Sequence, residues 1–139
     1  MTPLKRTIDW YAALDLPALS KIDQLYAKDA SFKDPFNDVT GVNAIRTIFE
    51  HMFKTTEHPR FVFAESFEQN QQAFLTWQFL FSLNGQEYAV NGASHLHFDD
   101  AGLIRQHRDY WDPAEELWQK LPLLGVVIRW LRAKFSASQ

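Results

Sequence analysis

Between residues 61 and 111 the spacing of apolar side chains changes to a period of two in successive short runs, and this constrains the fold more than any other feature of the chain. A period of two belongs to extended strands, whose successive side chains point to opposite faces. Phe61, Phe63 and Phe67 mark one strand, and Ala73 to Leu83 form a second. Asn84-Gly85 is a strong hairpin signal, because both residues tolerate the left-handed backbone that a two-residue hairpin needs. Glu87 to Phe98 then pair back as a third strand, and Asp99-Asp100-Ala101-Gly102 turns the chain into a fourth, Leu103 to Trp111.

Upstream the period is that of a helix. Thr2 and Pro3 have the character of a cap and a first-turn proline, followed by Leu4, Ile8 and Tyr11 at helical spacing. Asp15 and Pro17 open a second short helix with Leu19, Ile22 and Tyr26 as its stripe. A short extended piece, Ala30 to Lys33, enters the turn Asp34-Pro35-Phe36-Asn37-Asp38; the residue before proline favours extended geometry. Gly41 opens a third helix, with Val42, Ile45, Phe49 and Met52 inward, which is expected to end before Pro59. Asp112 caps a last helix with Pro113 first and Glu115 at capping-box spacing. Helices followed by meandering strands predict an α+β fold. The chain of 139 residues reads as one domain, 1–139, with residues 113–139 as a C-terminal helical extension.

Aromatics make up 15% of the chain, including 12 Phe and 5 Trp, so rings must line a core, a pocket or an interface. The net charge of −3 shows no basic footprint for nucleic acid. The chain has no cysteine, which removes disulfides, thiolate metal sites and cysteine nucleophiles. The first ten residues lack the apolar core of a signal peptide and no apolar run approaches a membrane span, so a cytoplasmic protein is expected.

The second long strand has an unbroken apolar face, Leu75, Trp77, Phe79, Phe81 and Leu83, which must be buried. On the third, Tyr88, Val90, Gly92, Ser94, Leu96 and Phe98 look inward, leaving His95 and His97 outside. The fourth carries Leu103, Arg105, His107, Asp109 and Trp111 on one face and Ile104, Gln106, Arg108 and Tyr110 on the other. Neither face is cleanly apolar.

Several stretches carry a family resemblance: Trp10 to Leu14; Leu25 to Pro35, which ends in the Asp-Pro turn; Gly41 with Ala44-Ile45; Ser94 to Phe98; Ala101-Gly102; and Asp109-Tyr110-Trp111. Together they resemble the ketosteroid isomerase and SnoaL-like branch of the NTF2-like superfamily. The resemblance covers the chain to about residue 112. It implies a cone-shaped curved antiparallel sheet packed against N-terminal helices, a cystatin-like α+β barrel. It also implies a dimer and a pocket for a small apolar or polycyclic molecule. Asp34 falls where ketosteroid isomerases keep their catalytic base. Trp10 stands where they keep a tyrosine and Ser94 where they keep a protonated aspartate, so neither oxyanion donor has its usual form.

Two readings stand for each candidate. Asp34 is either a general base, raised towards working pH by burial among rings, or the side-chain cap of its turn. His107 and Asp109, two apart on one strand face, form either an acid/base pair or a buried structural pair, with Asp109 otherwise matched to Arg105 or Arg108. If the acid/base reading holds, Asp34 and the His107/Asp109 pair share one pocket. Trp10, Tyr11, Phe49, Trp77, Phe79, Ser94 and Trp111 are the expected substrate-binding set, or else plain core. His95 and His97 have ligand spacing but no third ligand beside them, so no metal and no cofactor is expected; a dimer interface accounts for them better. Such a domain is expected to isomerise, cyclise or hydrolyse an apolar substrate without a cofactor, or to act as a non-catalytic binding or interaction module. Beyond Leu121 the chain is strongly apolar, with Arg129, Arg132 and Lys134 near its end. Such a helix packs on its own sheet or a second subunit, or contacts a membrane surface.

Overall fold

Residues 1–136 are described by a computed structural model. Helix α1 (Pro3–Ala12) begins as its sequence predicts: the Thr2 hydroxyl accepts the Lys5 N–H at 3.1 Å. A 3-10 helix, Pro17–Gln24, follows, and its buried residues are Leu19 and Ile22. Tyr26 does not extend that stripe. It starts strand β1 (Tyr26–Lys33) and is fully buried there. A residue four after Ile22 fits a helical face and a strand start equally well, so period alone could not separate the two.

The chain then turns through Asp34 into the short strand β2 (Asp38–Thr40), which periodicity did not reveal, and enters α2 (Val42–Thr55) through Gly41. Gly41 takes a φ of 105°, a left-handed value that a side chain resists. Four strands come next: β3 (Glu57–Gln69), β4 (Gln72–Leu83), β5 (Gln86–Phe98) and β6 (Ile104–Tyr110). Pro59 lies within β3, where it is tolerated because β3 is an edge strand. Asn84 and Gly85 both have positive φ, 51° and 79°, as the hairpin signal requires.

The six strands form one sheet in the order β2-β1-β6-β5-β4-β3. Its last four strands form the expected antiparallel meander, but β1 pairs with β6 in parallel, so the sheet is mixed rather than antiparallel throughout. With β2 and β3 left as edges the sheet is curved and open, and with helices on one face it is the expected α+β fold. Helices α1 and α2 pack against one face, around a core of Leu4, Ile22, Ile45, Leu75, Leu96 and Ile104.

The faces of β6 also differ from simple alternation. Ile104 and His107 are both buried, while Arg105 and Gln106 between them are exposed. The ladder with β5 runs His97 opposite Gln106, then Phe98 opposite Ile104, which leaves Arg105 as the extra residue of a β-bulge. The bulge lets Ile104 and His107, which simple alternation puts on opposite faces, both be buried while Arg105 is exposed. Beyond β6 come α3 (Pro113–Glu116), a 3-10 turn Trp118–Lys120 and helix α4 (Pro122–Phe135). Asp112 caps α3 by accepting the Ala114 N–H at 2.9 Å, while Glu115 lies 3.9 Å from Arg132 rather than closing a capping box.

Candidate functional site

Alternation along β4 and β5 places Trp77 and Ser94 on the helix-covered face, and the residues of β6 beyond the bulge add His107 and Asp109. These four join Tyr11 from α1 and Tyr26 from β1 in one continuous chain of hydrogen bonds. Trp77 Nε1–H donates to Ser94 Oγ at 2.8 Å, and Ser94 Oγ–H donates to Asp109 Oδ1 at 2.5 Å. His107 Nε2 meets the same Oδ1 at 2.6 Å, and His107 Nδ1 meets the Tyr26 hydroxyl at 2.6 Å. The Tyr11 hydroxyl bonds to that of Tyr26.

One placement of protons satisfies every member. The carboxylate only accepts, so His107 carries its proton on Nε2 and offers Nδ1 as an acceptor. Tyr26 then donates to Nδ1 and accepts from Tyr11. All donors thus run towards Asp109 from both sides. Burial, followed by the neighbouring Tyr26, pushes the Tyr11 phenol well above its ordinary pKa. Burial does the same to Tyr26, with the Asp109 charge adding to it and the Tyr11 hydrogen bond opposing it. Both hydroxyls are therefore neutral donors rather than bases.

The network borders two cavities. A small inner one of about 30 Å³ touches Thr7, Tyr11, Ser94, His107 and Asp109, room for roughly one water molecule. A larger cleft of about 560 Å³ opens between α2 and the sheet. Its walls are largely apolar, with Phe36, Phe79 and Trp111 among them, and its ionisable side chains are Asp34, Asp109 and His51. Among the described residues no lysine or arginine lines it. Asp109 touches both cavities, and its network bonds end on Oδ1 rather than Oδ2.

The expected constellation is therefore brought together in large part. Tyr11 and Ser94 line the inner cavity, Phe79 and Trp111 the cleft, and Phe49 and Trp77 both. Trp10 is the exception. One position along a helix is a rotation of about 100°, and that turns Trp10 away into a separate depression with Arg6 and Lys21. Its indole N–H is buried there without a hydrogen-bond partner among the described residues. Asp34 lies at the cleft, with its carboxylate engaged in the turn: Oδ1 accepts the N–H groups of Phe36 at 2.8 Å and Asn37 at 2.7 Å, and the Asn37 amide adds two longer bonds. Asp109 pairs with His107 rather than with Arg105 or Arg108.

Tyr26 is the network member that periodicity missed; its one signal was that a tyrosine buried in a core needs a partner for its hydroxyl. His95 and His97 lie side by side with ring centres 4.6 Å apart, and His95 bonds to Gln72. Among the described residues no group of three His, Cys, Asp or Glu could hold a metal ion.

No curated protein is significantly similar in sequence. Solved structures are similar in fold. An NTF2-like protein of unknown function from Burkholderia pseudomallei K96243 superposes with a TM-score of 0.72 at 17% identity, over 83% of this chain and 95% of that one. TerC, co-crystallised with polyporic acid, gives 0.71 at 15% identity over 81% and 93%. A protein with a ketosteroid isomerase-like fold from Catenulispora acidiphila DSM 44928, in complex with trimethylamine, gives 0.70 at 16% identity over 84% and 92%. Likeness at this level of identity speaks for the fold. Residues 8–107, however, match the SnoaL-like domain at the level of sequence, and with the fold agreeing, the chain belongs to the SnoaL-like family.

Proposed function

We propose that the cleft binds a small, flat, largely apolar molecule and that Asp109 moves a proton on it without a cofactor. The observation that carries this reading is the position of Asp109. It is the one carboxylate that joins the buried network to the cleft, with Oδ1 held from behind by His107 and Ser94. Held in this way, the carboxylate presents Oδ2 to the cleft as the base. It takes a proton from an acidic C–H or O–H of the ligand, becoming a neutral acid, and returns it to a second atom of the same molecule. Such a transfer isomerises or cyclises the ligand; transfer from water instead gives hydrolysis. His107 is fixed between Asp109 and Tyr26 and holds the carboxylate in one orientation. Asp34, the second carboxylate, keeps the Phe36 side of the cleft in place through its turn.

The lining also restricts the ligand. Two carboxylates, with His51 the one basic side chain among the described lining residues, favour a neutral or cationic molecule over an anion. Aromatic walls suit flat rings or an alkylammonium group. Two of the structural neighbours hold small organic molecules, polyporic acid in TerC and trimethylamine in the Catenulispora protein, which supports reading the cleft as a ligand site.

Native mass spectrometry of the purified chain, followed by titration with the neutral fluorophore N-phenyl-1-naphthylamine, tests binding. A co-purified molecule or saturable probe binding, retained in Asp109→Asn and lost in Phe79→Asp, is the expected result. Proton transfer is then followed as conversion of the released molecule to its isomer or hydrolysis product, or as exchange of its acidic hydrogen for deuterium in D2O, each of which Asp109→Asn should abolish. A chain that carries nothing and binds no probe refutes the reading.

A further inference from the structure

The C-terminal helix α4 is mounted the wrong way round for a water-soluble surface. Its polar side faces the body: Gly125 is buried against the Gln119 carbonyl, Arg129 donates to that carbonyl, and Arg132 donates to the Gln119 side chain at 2.6 Å. Its apolar side faces out. Leu123 is 87% exposed, Val127 53%, Trp130 61% and Phe135 83%. Arg129 and Arg132 are themselves exposed but reach back to Gln119, and these two bonds set the side that α4 turns to the body.

The charge of the segment says what covers it. Helix α4 contains Arg129, Arg132 and Lys134 and no carboxylate, a charge of +3, of which Glu115 offsets part at 3.9 Å from Arg132. Since the whole chain carries −3, the rest of it carries −6. An outward apolar face on a basic segment, attached to an acidic body, matches an anionic lipid surface. The segment is attracted, and the body is repelled to the water side. At 14 residues α4 spans roughly 21 Å, too short to cross a bilayer but suited to lying along its interface. The outward arc from Val126 round to Phe135 covers roughly half the circumference and is apolar except for Lys134 near its middle, broader than the narrow row of anchors a protein groove takes from a helix. Lys134 Nζ stacks over the Trp130 ring at 5.7 Å, where its charge can reach the headgroups while its stem covers apolar surface.

We propose that α4 is an interfacial anchor that docks this protein on anionic membranes through Leu123, Val127, Trp130 and Phe135. The cleft wall comes close to the anchor in sequence, since Leu117 lines the cleft and directly precedes the turn on which α4 packs. Docking is independent of what the cleft binds.

Flotation of the full chain with phosphatidylcholine vesicles, with and without phosphatidylglycerol, tests the proposal. The wild type is expected to float with the phosphatidylglycerol vesicles at low ionic strength, and less so at high salt. Val127→Asp and Trp130→Asp alter exposed positions and should keep the circular dichroism of the wild type while lowering partitioning by at least about tenfold. Lys134→Glu should lower it by roughly tenfold on the anionic vesicles alone. A folded wild type that stays unbound at low salt overturns the proposal, as does Val127→Asp floating as well as the wild type. A wild-type dimer that Val127→Asp splits, with neither form floating, assigns the face to a second copy of the chain instead.

Discussion

Replacing Tyr26 by phenylalanine removes one oxygen from the centre of the buried network and leaves its packing alone. The Tyr26 ring is fully buried and stacks parallel to His107 with centres 5.9 Å apart, contacts that phenylalanine keeps. The hydroxyl donates to His107 Nδ1 and accepts from Tyr11, so its loss orphans two buried polar groups at once. Each orphan costs about 1–3 kcal/mol, and removal of the hydroxyl's own desolvation returns part of this, leaving a net loss of about 3 kcal/mol. Tyr11→Phe is milder. Tyr26 still donates to His107, and the loss should be about 1 kcal/mol. In the double variant only His107 Nδ1 remains orphaned, so the combined loss should fall short of the sum by about 1 kcal/mol. Urea unfolding followed by far-ultraviolet circular dichroism measures all four corners of the cycle. A domain of this size has about 5–15 kcal/mol to lose, so each variant stays folded. If Tyr26→Phe lies within about 0.5 kcal/mol of the wild type at an unchanged m value, or if the two losses simply add, the hydroxyls are not linked as described.

Gly92 lies opposite Trp77 on β4, and a Cβ there would clash with the indole ring, so Gly92→Ala should cost about 1–3 kcal/mol in urea and shift tryptophan emission as the ring leaves Ser94. Tyr11 and Tyr26 have phenols raised by burial, so the folded state holds its protons longer than the unfolded state does; stability should decline as pH rises above about 10, and their tyrosinate absorbance should appear only with unfolding. The β3–β4 hairpin turns through Asn70 and Gln71, both at positive φ, and Gln71→Gly should raise the melting temperature by roughly 3 °C by relieving a strain of about 1 kcal/mol. An unchanged or lower melting temperature would show that the exposed bond from Gln71 to Asp100 matters more than the backbone.

Elements whose information is local were legible in the sequence. Thr2, Gly41 and Asn84-Gly85 each act through a dihedral or a cap within a few residues, and each behaves in the structure as its chemistry requires. The inward face of β5 was legible for the same reason, since Val90, Ser94, Leu96 and Phe98 follow one period without interruption. What was not legible depends on contacts between distant segments. The bulge at Arg105 is fixed by how β6 sits against both β5 and β1, and no pattern within seven residues of β6 encodes it. Tyr26 satisfied a helical period and a strand start alike, and only the parallel partner on β6 decides between them. Trp10 and Tyr11 were both placed in the pocket, although neighbours on a helix cannot both face one cavity directly; the choice rests on how α1 docks on the sheet.

The parallel pairing of β1 with β6 does most to create the site. Its register runs Tyr26 opposite Ile104 and then Ser31 opposite Gln106, so β1 spends five residues where β6 spends two. Regular pairing would have carried the Tyr26 hydroxyl well along the sheet from His107, at roughly 3.3 Å per residue. The irregularity brings Tyr26 and Phe32 to the same imidazole, the first stacked at 5.9 Å and the second tilted at 4.6 Å. His107 is thereby held by a ring on either strand position and a hydrogen bond on either nitrogen. Its remaining freedom is a proton, not a rotation. A histidine fixed to this degree cannot swing into the cleft, so of the His107/Asp109 pair it is Asp109, not His107, that lines the cleft. The same strand ends at Asp34, whose turn sets Phe36 against Trp111 at 5.5 Å on the rim. One irregular strand therefore supplies the support for the carboxylate and part of the wall that shields it from water, and both are lost together if β1 takes a regular register.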